Sequence, residues 1–469
     1  MKLHEKFIEQ LQALLPDEWE ALAEAITTSE PSVAVRVNDA RLVGVPEAAR
    51  RVPWCDLGFY LADRPAFTFD PDWHAGRYYV QDASSMFIAH VIRQFIHQPV
   101  RYLDLCAAPG GKTTAAIQAL PQQSLVVANE IVPPRARVLA DNIIRWGDSR
   151  CVVTSNAPAH VGKLTHFFDV IAADVPCSGE GMMRKDDEAV AQWSPALVGQ
   201  CAQRQREILA DVWNALRPGG LLIYSTCTYN HQENEQMADF IVNELGATSL
   251  EVPVEPQWNI HPAIGSECHC YRFMPHRVDG EGLFMAVFRK DGDSPRQDIR
   301  VKDKNAKKAD EIGKNWLSQP DDYVVEQQGD LSIAVPADIR REVTALRASL
   351  MCRTPAWNWL PSWAARSCRT TLWQCQRRGL PMLSPSARWI ISSHCVTCVA
   401  RASRLTARVA ASSSPIRVPS SVSPTTWAIA PTTSTPSPNA SSAPTSPIPN
   451  QLFLFWCPNL IIFIVKAPK

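Results

Sequence analysis

The sequence predicts an α/β fold in which a parallel sheet is flanked by helices and preceded by a small α+β module. Three observations predict it. Between residues 100 and 245, short apolar runs alternate with amphipathic stretches of helical length, the pattern of strands joined by crossover helices. A glycine-rich turn, LDLCAAPGGKT at 103–113, follows the first of those runs and opens the first helical stretch. The residues able to do chemistry fall at the ends of the runs, where open parallel sheets collect their ligands.

In chain order, MKLHEKFIEQLQALL at 1–15 carries charges within an apolar helical period and reads as an amphipathic helix, not a secretory leader. SVAVRVN at 32–38 alternates like a strand, and the region to about residue 72 completes the small module. GRYYVQDASS at 76–85 leads into a helix. Sheet strands are predicted at 102–106, 125–129, 151–154, 169–173 and 221–225, the last after an RPGG turn at 217–220. Helices are predicted at 113–120, 134–146 and 195–216, with another at 232–245. The chain is expected to divide into a module at 1–75, a catalytic domain at 76–292, the start of a further domain at 293–347 and a tail at 348–469.

The tail has a composition of its own. The formal net charge is zero, yet no Asp or Glu occurs after Glu342 while 13 Lys and Arg do, so the body carries −13 and the remainder +13. From about Ala348 the chain is rich in Trp, Cys, Arg, Ser and Pro, with neither helical nor strand periodicity. Disordered tails are poor in Trp and Cys, and folded domains use acids, so the stretch fits neither class. It is expected to be an aberrant, out-of-frame product or else a basic disordered tail, and resequencing codons 343–350 distinguishes the two. The apolar run at 452–465 is shorter than the roughly 20 residues a membrane helix needs and contains Pro458.

The 14 cysteines are scattered, with no disulfide framework, which points to a reducing compartment, the cytoplasm. Cys268-His269-Cys270 has the wrong spacing for a tetrahedral zinc site, so no metal is expected.

The chemistry concentrates in four places. In the glycine turn, small residues from Cys106 to Lys112 (Cys106, Ala107, Ala108, Pro109, Gly110, Gly111 and Lys112) let the backbone approach a ligand, and the helix start supplies N–H donors. The spacing is not that of a P-loop. Glu130 ends the second strand, where a carboxylate can accept from ribose hydroxyls. Alone it reads as a surface glutamate. DVPCSGEG at 174–181 ends the fourth strand and YSTCTY at 224–229 the fifth, so Cys177 and Cys227 would face one cleft. Either cysteine alone is more often core packing than catalyst. A pair beside a nucleoside pocket and Asp174 suits one reaction. Carbon 5 of cytosine is too weak a nucleophile to attack a sulfonium methyl until a thiolate adds to carbon 6, and a carboxyl near the ring nitrogen stabilises the charge.

These motifs resemble the Nol/Nop/Sun family of RNA 5-methylcytosine methyltransferases. The resemblance covers roughly residues 32–290: QDASS at 81–85, CAAPGGK at 106–112, DVPCSG at 174–179, STCT at 225–228, and Arg272, Pro275-His276, Asp279 and Gly282-Leu283-Phe284. It implies a Rossmann-like S-adenosylmethionine-dependent methyltransferase core, RNA-binding modules before and after it, and a truncated or aberrant C-terminal region. It implies Cys227 as nucleophile, Cys177 as the residue that helps release product, and Asp174 between donor and base. It further implies S-adenosylmethionine contacts from residues 106–112, Glu130 and Asp174. The cysteine of the Pro-Cys motif, the nucleophile of DNA cytosine methyltransferases, makes Cys177 the rival. VPWCDLGF at 52–59 and EGMMRKD at 180–186 point to a bacterial member acting on small-subunit ribosomal RNA. The implied partner is ribosomal RNA within the small subunit, with a monomeric enzyme and no membrane.

Two departures stand out. Members usually hold adenine with an Asp after the third strand, where this chain has Asn156 and Ala157, and Asn156 is expected to accept from the adenine amine instead. The acidic body offers little for phosphates, so an aberrant tail is expected to impair RNA binding and methylation. A small-molecule or protein methyltransferase, a tRNA cytosine-5 methyltransferase and an RNA-binding assembly factor with impaired catalysis remain the alternatives.

Overall fold

The computed structural model describes residues 2–41, 50–295, 317, 319–328, 331–354, 452–457 and 460–465. Most of the region after residue 354, and with it most of the tail, lies outside the described residues, as does 296–316 near the expected start of the C-terminal domain.

Helices α1 (Glu5–Leu14) and α2 (Trp19–Thr28) open the chain. Their apolar faces bury Phe7, Leu11, Leu22 and Ile26 against Trp193, Tyr229 and Met274. Glu18 anchors the pair from the other side, receiving hydrogen bonds from Arg277 Nε at 2.7 Å and His276 Nε2 at 2.9 Å. Strands β1 (Val33–Val37), β2 (Arg50–Val52), β3 (Cys55–Leu61) and β4 (Tyr78–Val80) form a separate antiparallel sheet in the order β2-β3-β1-β4, with α3 (Pro71–His74) before the last strand. Helix α4 (Phe87–Phe95) links it to the main sheet.

That sheet contains β5 (Arg101–Asp104), β6 (Leu125–Asn129), β7 (Cys151–Thr154), β8 (Phe168–Asp174) and β9 (Leu216–Thr226), all parallel, in the order β9-β8-β5-β6-β7. The crossovers are α5 (Gly111–Ala119), α6 (Pro133–Trp146), the short α7 (Pro158–Val161), then α8 (Asp187–Gln192) and α9 (Pro195–Val212). Alternation sorts the strand residues onto two faces. Tyr102, Val126, Val153 and Val170 pack into one core, and Leu103, Val127, Val152 and Ile171 into the other. Burial on both faces is why these strands read as continuous apolar runs.

Helix α10 (Glu235–Asn243) and strands β10 (Ala247–Leu250), β11 (Cys270–Phe273) and β12 (Leu283–Lys290) complete the core, with β12 lying antiparallel between β9 and β10 and also pairing β11. Beyond it come a hairpin of β13 (Tyr323–Gln328) and β14 (Leu331–Pro336), helix α11 (Arg340–Ser349) and β15 (Cys352–Thr354), which pairs antiparallel with the edge of β7. By itself, the unit at 395–469 contains an antiparallel hairpin of β16 (Leu452–Cys457) and β17 (Leu460–Val465).

The sequence reading needs several corrections. The fifth strand begins at Leu216 and runs through the RPGG segment, because the register jumps from Phe168↔Leu216 to Val170↔Leu221 and absorbs Arg217–Gly220 as an irregularity. The last core helix starts at Glu235, because the side chains of Asn230 and Glu233 are spent on loop hydrogen bonds. The region after Ala348, read as lacking strand periodicity, contains β15 and the β16–β17 hairpin. Of the antiparallel strands, only β1 coincides with a segment whose alternation, at 32–38, marks it as a strand. Among the described residues no helix is long and apolar enough to cross a membrane, and no group of three or more His, Cys, Asp or Glu could hold a metal ion.

Candidate active site

The chain order along the parallel sheet reverses between β5 and β8, so a crevice opens at their carboxyl ends. The glycine turn leaves β5 on one side of it. Gly110, at φ 112°, takes a left-handed conformation as N-cap of α5, which a side chain would strain. The turn is held from outside: Tyr79 Oη donates to the Pro109 carbonyl at 3.1 Å, Asn142 Nδ2 donates to it at 2.7 Å, and Arg135 donates to the Ala108 carbonyl. Tyr79 belongs to β4, so the small N-terminal sheet buttresses the turn.

Carboxyl groups surround the turn. Asp104, at the end of β5, is 1% exposed and accepts from Thr113 Oγ1 at 2.6 Å. Burial pushes its carboxyl up to about 7, and nearby Asp174 adds to the shift. Glu130, also buried, accepts from the Val132 N–H at 2.8 Å and lies 3.4 Å from Arg135. Asp174 ends β8, pairing with Lys112 at 2.9 Å and accepting from Ser225 Oγ at 2.7 Å. Burial alone would lower the Lys112 ammonium, but the Asp174 carboxylate outweighs it and the net shift is upward, with Cys227 contributing. Lys112 is therefore a fixed cation linking the glycine turn to the cysteine strands.

Cys177 and Cys227 are both partly exposed, with their Sγ atoms 3.1 Å apart. The hydrogen bond with Cys227, and then burial, push the Cys177 thiol well up. The Cys227 N–H donates back to Cys177 Sγ at 3.3 Å. Between the strands, the Val175 N–H donates to the Ser225 carbonyl and the Gly181 N–H to the Cys227 carbonyl.

The structure thus brings together the residues singled out at 106–112, 130, 174, 177 and 227. Asn156 is a correction. Its oxygen accepts from the Met351 N–H at 3.0 Å and its amide nitrogen donates to the Met351 carbonyl at 3.1 Å, so the group expected to meet adenine is taken by the strand leading into β15. Sequence reading also missed Asp104, Glu180 and Glu233. Asp104 and Glu180 stood inside quoted motifs, and burial, which the sequence does not display, is what sets them apart.

Residues 96–289 match the family described as 16S rRNA methyltransferase RsmB/F, and residues 3–83 match the N-terminal domain of 16S rRNA methyltransferase RsmF. The chain is 35% identical over 257 residues to ribosomal RNA small subunit methyltransferase F of Aliivibrio fischeri (strain MJ11), covering 53% of this chain and 54% of the relative. The protein of that name from Serratia proteamaculans (strain 568) is 39% identical over 248 residues, 51% of each chain. The chain thus spans about half the length of the curated relatives it matches. Among solved structures, a methyltransferase homolog protein from Pyrococcus horikoshii superposes with a TM-score of 0.53 at 25% identity, covering 61% of this chain and 95% of the other. NSun6 from Pyrococcus horikoshii, solved with SFG, superposes with a TM-score of 0.54 at 19% identity, over 62% and 99%, and shares the fold.

Proposed function

Because this chain belongs, through residues 3–83 and 96–289, to the 16S rRNA methyltransferase RsmB/F family, we propose that it transfers a methyl group from S-adenosylmethionine to carbon 5 of a cytosine in 16S ribosomal RNA. The observation that carries this reading is the Cys177–Cys227 pair, 3.1 Å apart beside the Lys112–Asp174 ion pair.

The residues around the glycine turn fit such a donor. It is a sulfonium cation bearing ribose hydroxyls, and Asp104, Glu130 and Asp174 are close enough for Asp104 to feel the charges of the other two. The turn and α5 would hold the amino acid end, with Glu130 on the ribose. When bound, the donor supplies an electrophilic methyl. Cys227 forms a bond from Sγ to carbon 6, which sends the ring electrons toward carbon 5. Asp174, oriented by Ser225 and Lys112, steadies the charge on the ring nitrogen and exocyclic amine. After methyl transfer the carbon 5 proton leaves, the electrons reform the ring double bond, and the sulfur–carbon bond breaks. Cys177 assists that release. The raised Cys177 thiol supports this division of labour, because a thiol that keeps its proton is a poor nucleophile.

The test is incubation with tritiated S-adenosylmethionine and 16S ribosomal RNA carrying 5-fluorocytosine, since fluorine at carbon 5 blocks the release step. A labelled protein–RNA adduct supports the reading. Methylation without an adduct points to another nucleophile, and neither product points to the assembly-factor alternative, which the occupation of Asn156 by Met351 favours.

A further inference from the structure

Two buried carboxylates beneath the cysteine pair have no part in the reaction described. Glu180, which is 0% exposed, follows Cys177 by three residues. Its Oε2 accepts from the Tyr229 N–H at 2.7 Å and the Asn230 N–H at 2.9 Å, both just past Cys227. Its Oε1 accepts from Gln10 Nε2 at 2.9 Å, Trp193 Nε1 at 3.0 Å and Asn230 Nδ2 at 3.1 Å. Glu233, also 0% exposed, works in the opposite sense. It lies on the Cys227 side and accepts from the Ser178 N–H, next to Cys177, at 3.0 Å, and from Asn230 Nδ2 and Gln205 Nε2, both at 2.7 Å.

Neither carboxylate forms an ion pair among the described residues. Burying a charge without a cation costs several kcal/mol unless hydrogen bonds replace the lost water. An apolar residue could pack here at no such cost. It could not tie its own loop to the N–H groups of the opposite one.

We propose that Glu180 and Glu233 are positioning residues that clamp the Cys177 and Cys227 loops together, and that helix α1, through Gln10, is part of the clamp. Each carboxylate is attached to one cysteine loop and grips the backbone of the other. The sulfur separation is therefore set by buried contacts between the two loops. The significance of the clamp rests on the proposed role of Cys227, because displacements of about 1 Å in a reacting group can cost a hundredfold in rate.

Glu180→Gln is the discriminating change, because in either orientation its amide NH2 faces N–H donors. The pair is read without reference to activity by phenylarsine oxide, whose arsenic forms two As–S bonds while its oxygen leaves as water with the two thiol protons. Capture at the pair is the part lost in Cys177→Ser. Glu180→Gln and Glu233→Gln are expected to slow it about tenfold or more and to lower kcat in step, with Kd for S-adenosylmethionine within about twofold of wild type. Glu180→Asp is expected to restore part of both. Should Glu180→Gln fail to fold, Gln10→Leu removes a single donor and is expected to slow capture about threefold. A wild-type capture rate in a folded variant overturns the clamp. Slowed capture in the variants, together with no RNA adduct from the wild-type chain, upholds the clamp and removes the proposed function.

Discussion

The side chain of Asn156 and the backbone of Met351 are joined by a reciprocal pair of hydrogen bonds, 3.0 Å and 3.1 Å long, which extend the β7–β15 pairing past the end of the strand. An aspartate can accept there but cannot donate. Asn156→Asp is therefore expected to leave the Met351 carbonyl facing a carboxylate, at a cost of about 1–3 kcal/mol. Hydrogen exchange at residues 351–354 should accelerate about tenfold or more, while affinity for S-adenosylmethionine stays near wild type. Unchanged exchange, or a large change in affinity, would reverse the assignment of the Asn156 side chain to Met351.

The two cysteines should fail differently. Cys227→Ala is expected to lose methylation by more than about a thousandfold and to form no adduct with 5-fluorocytosine RNA. Cys177→Ala is expected to form the bond and release it slowly, so a covalent complex accumulates even with ordinary cytosine. Gel electrophoresis under denaturing conditions reads both. An adduct in Cys227→Ala that is missing in Cys177→Ala would exchange the roles.

Asp104 carries a pH signature. Its carboxyl lies at about 7 in the folded chain, against an ordinary value of 3.8, so between those values the native state holds more proton than the unfolded state. Stability from this group is full below about pH 4 and declines as pH rises to about 7. The shift corresponds to at most about 4.5 kcal/mol, at about 1.4 kcal/mol per unit. Asp104→Asn keeps an acceptor for Thr113 and cannot ionise. Its melting temperature relative to wild type should climb between pH 4 and 7 and then level off. A flat difference across that range would show that Asp104 ionises normally.

Arg272 and Glu235 form a pair buried to 2% and 0% side-chain exposure, and Arg272 Nη1 also donates to the Tyr229 carbonyl at 2.7 Å. Arg272→Met is expected to destabilise the chain by about 3–5 kcal/mol, because it leaves the buried Glu235 charge with only His231 and the Ile264 N–H beside it. Arg272→Met combined with Glu235→Met should recover much of that loss. Chemical denaturation measures both, and a double variant no more stable than the single one would rule out charge burial as the cause.

The parallel core was legible because its strands are apolar on both faces and most of them are followed by a helical period. Strands 125–129 and 151–154 were placed to the residue. The antiparallel strands β10, β11, β12 and β15 were not legible, since edge and return strands are set by which neighbour offers free backbone groups, and composition does not record that.

The sequence by itself determined the α/β class and the short list of residues able to do chemistry, because strand ends, glycine turns and thiols are local features. Only the tertiary structure decided that Cys177 and Cys227 touch, that Lys112 ties Asp174 to the turn, that the Asn156 side chain is bound to Met351, and that Glu180 and Glu233 each grip the backbone of the opposite cysteine loop. Those contacts join residues far apart in the chain. Their distances follow from how the loops pack, which no single stretch of sequence contains.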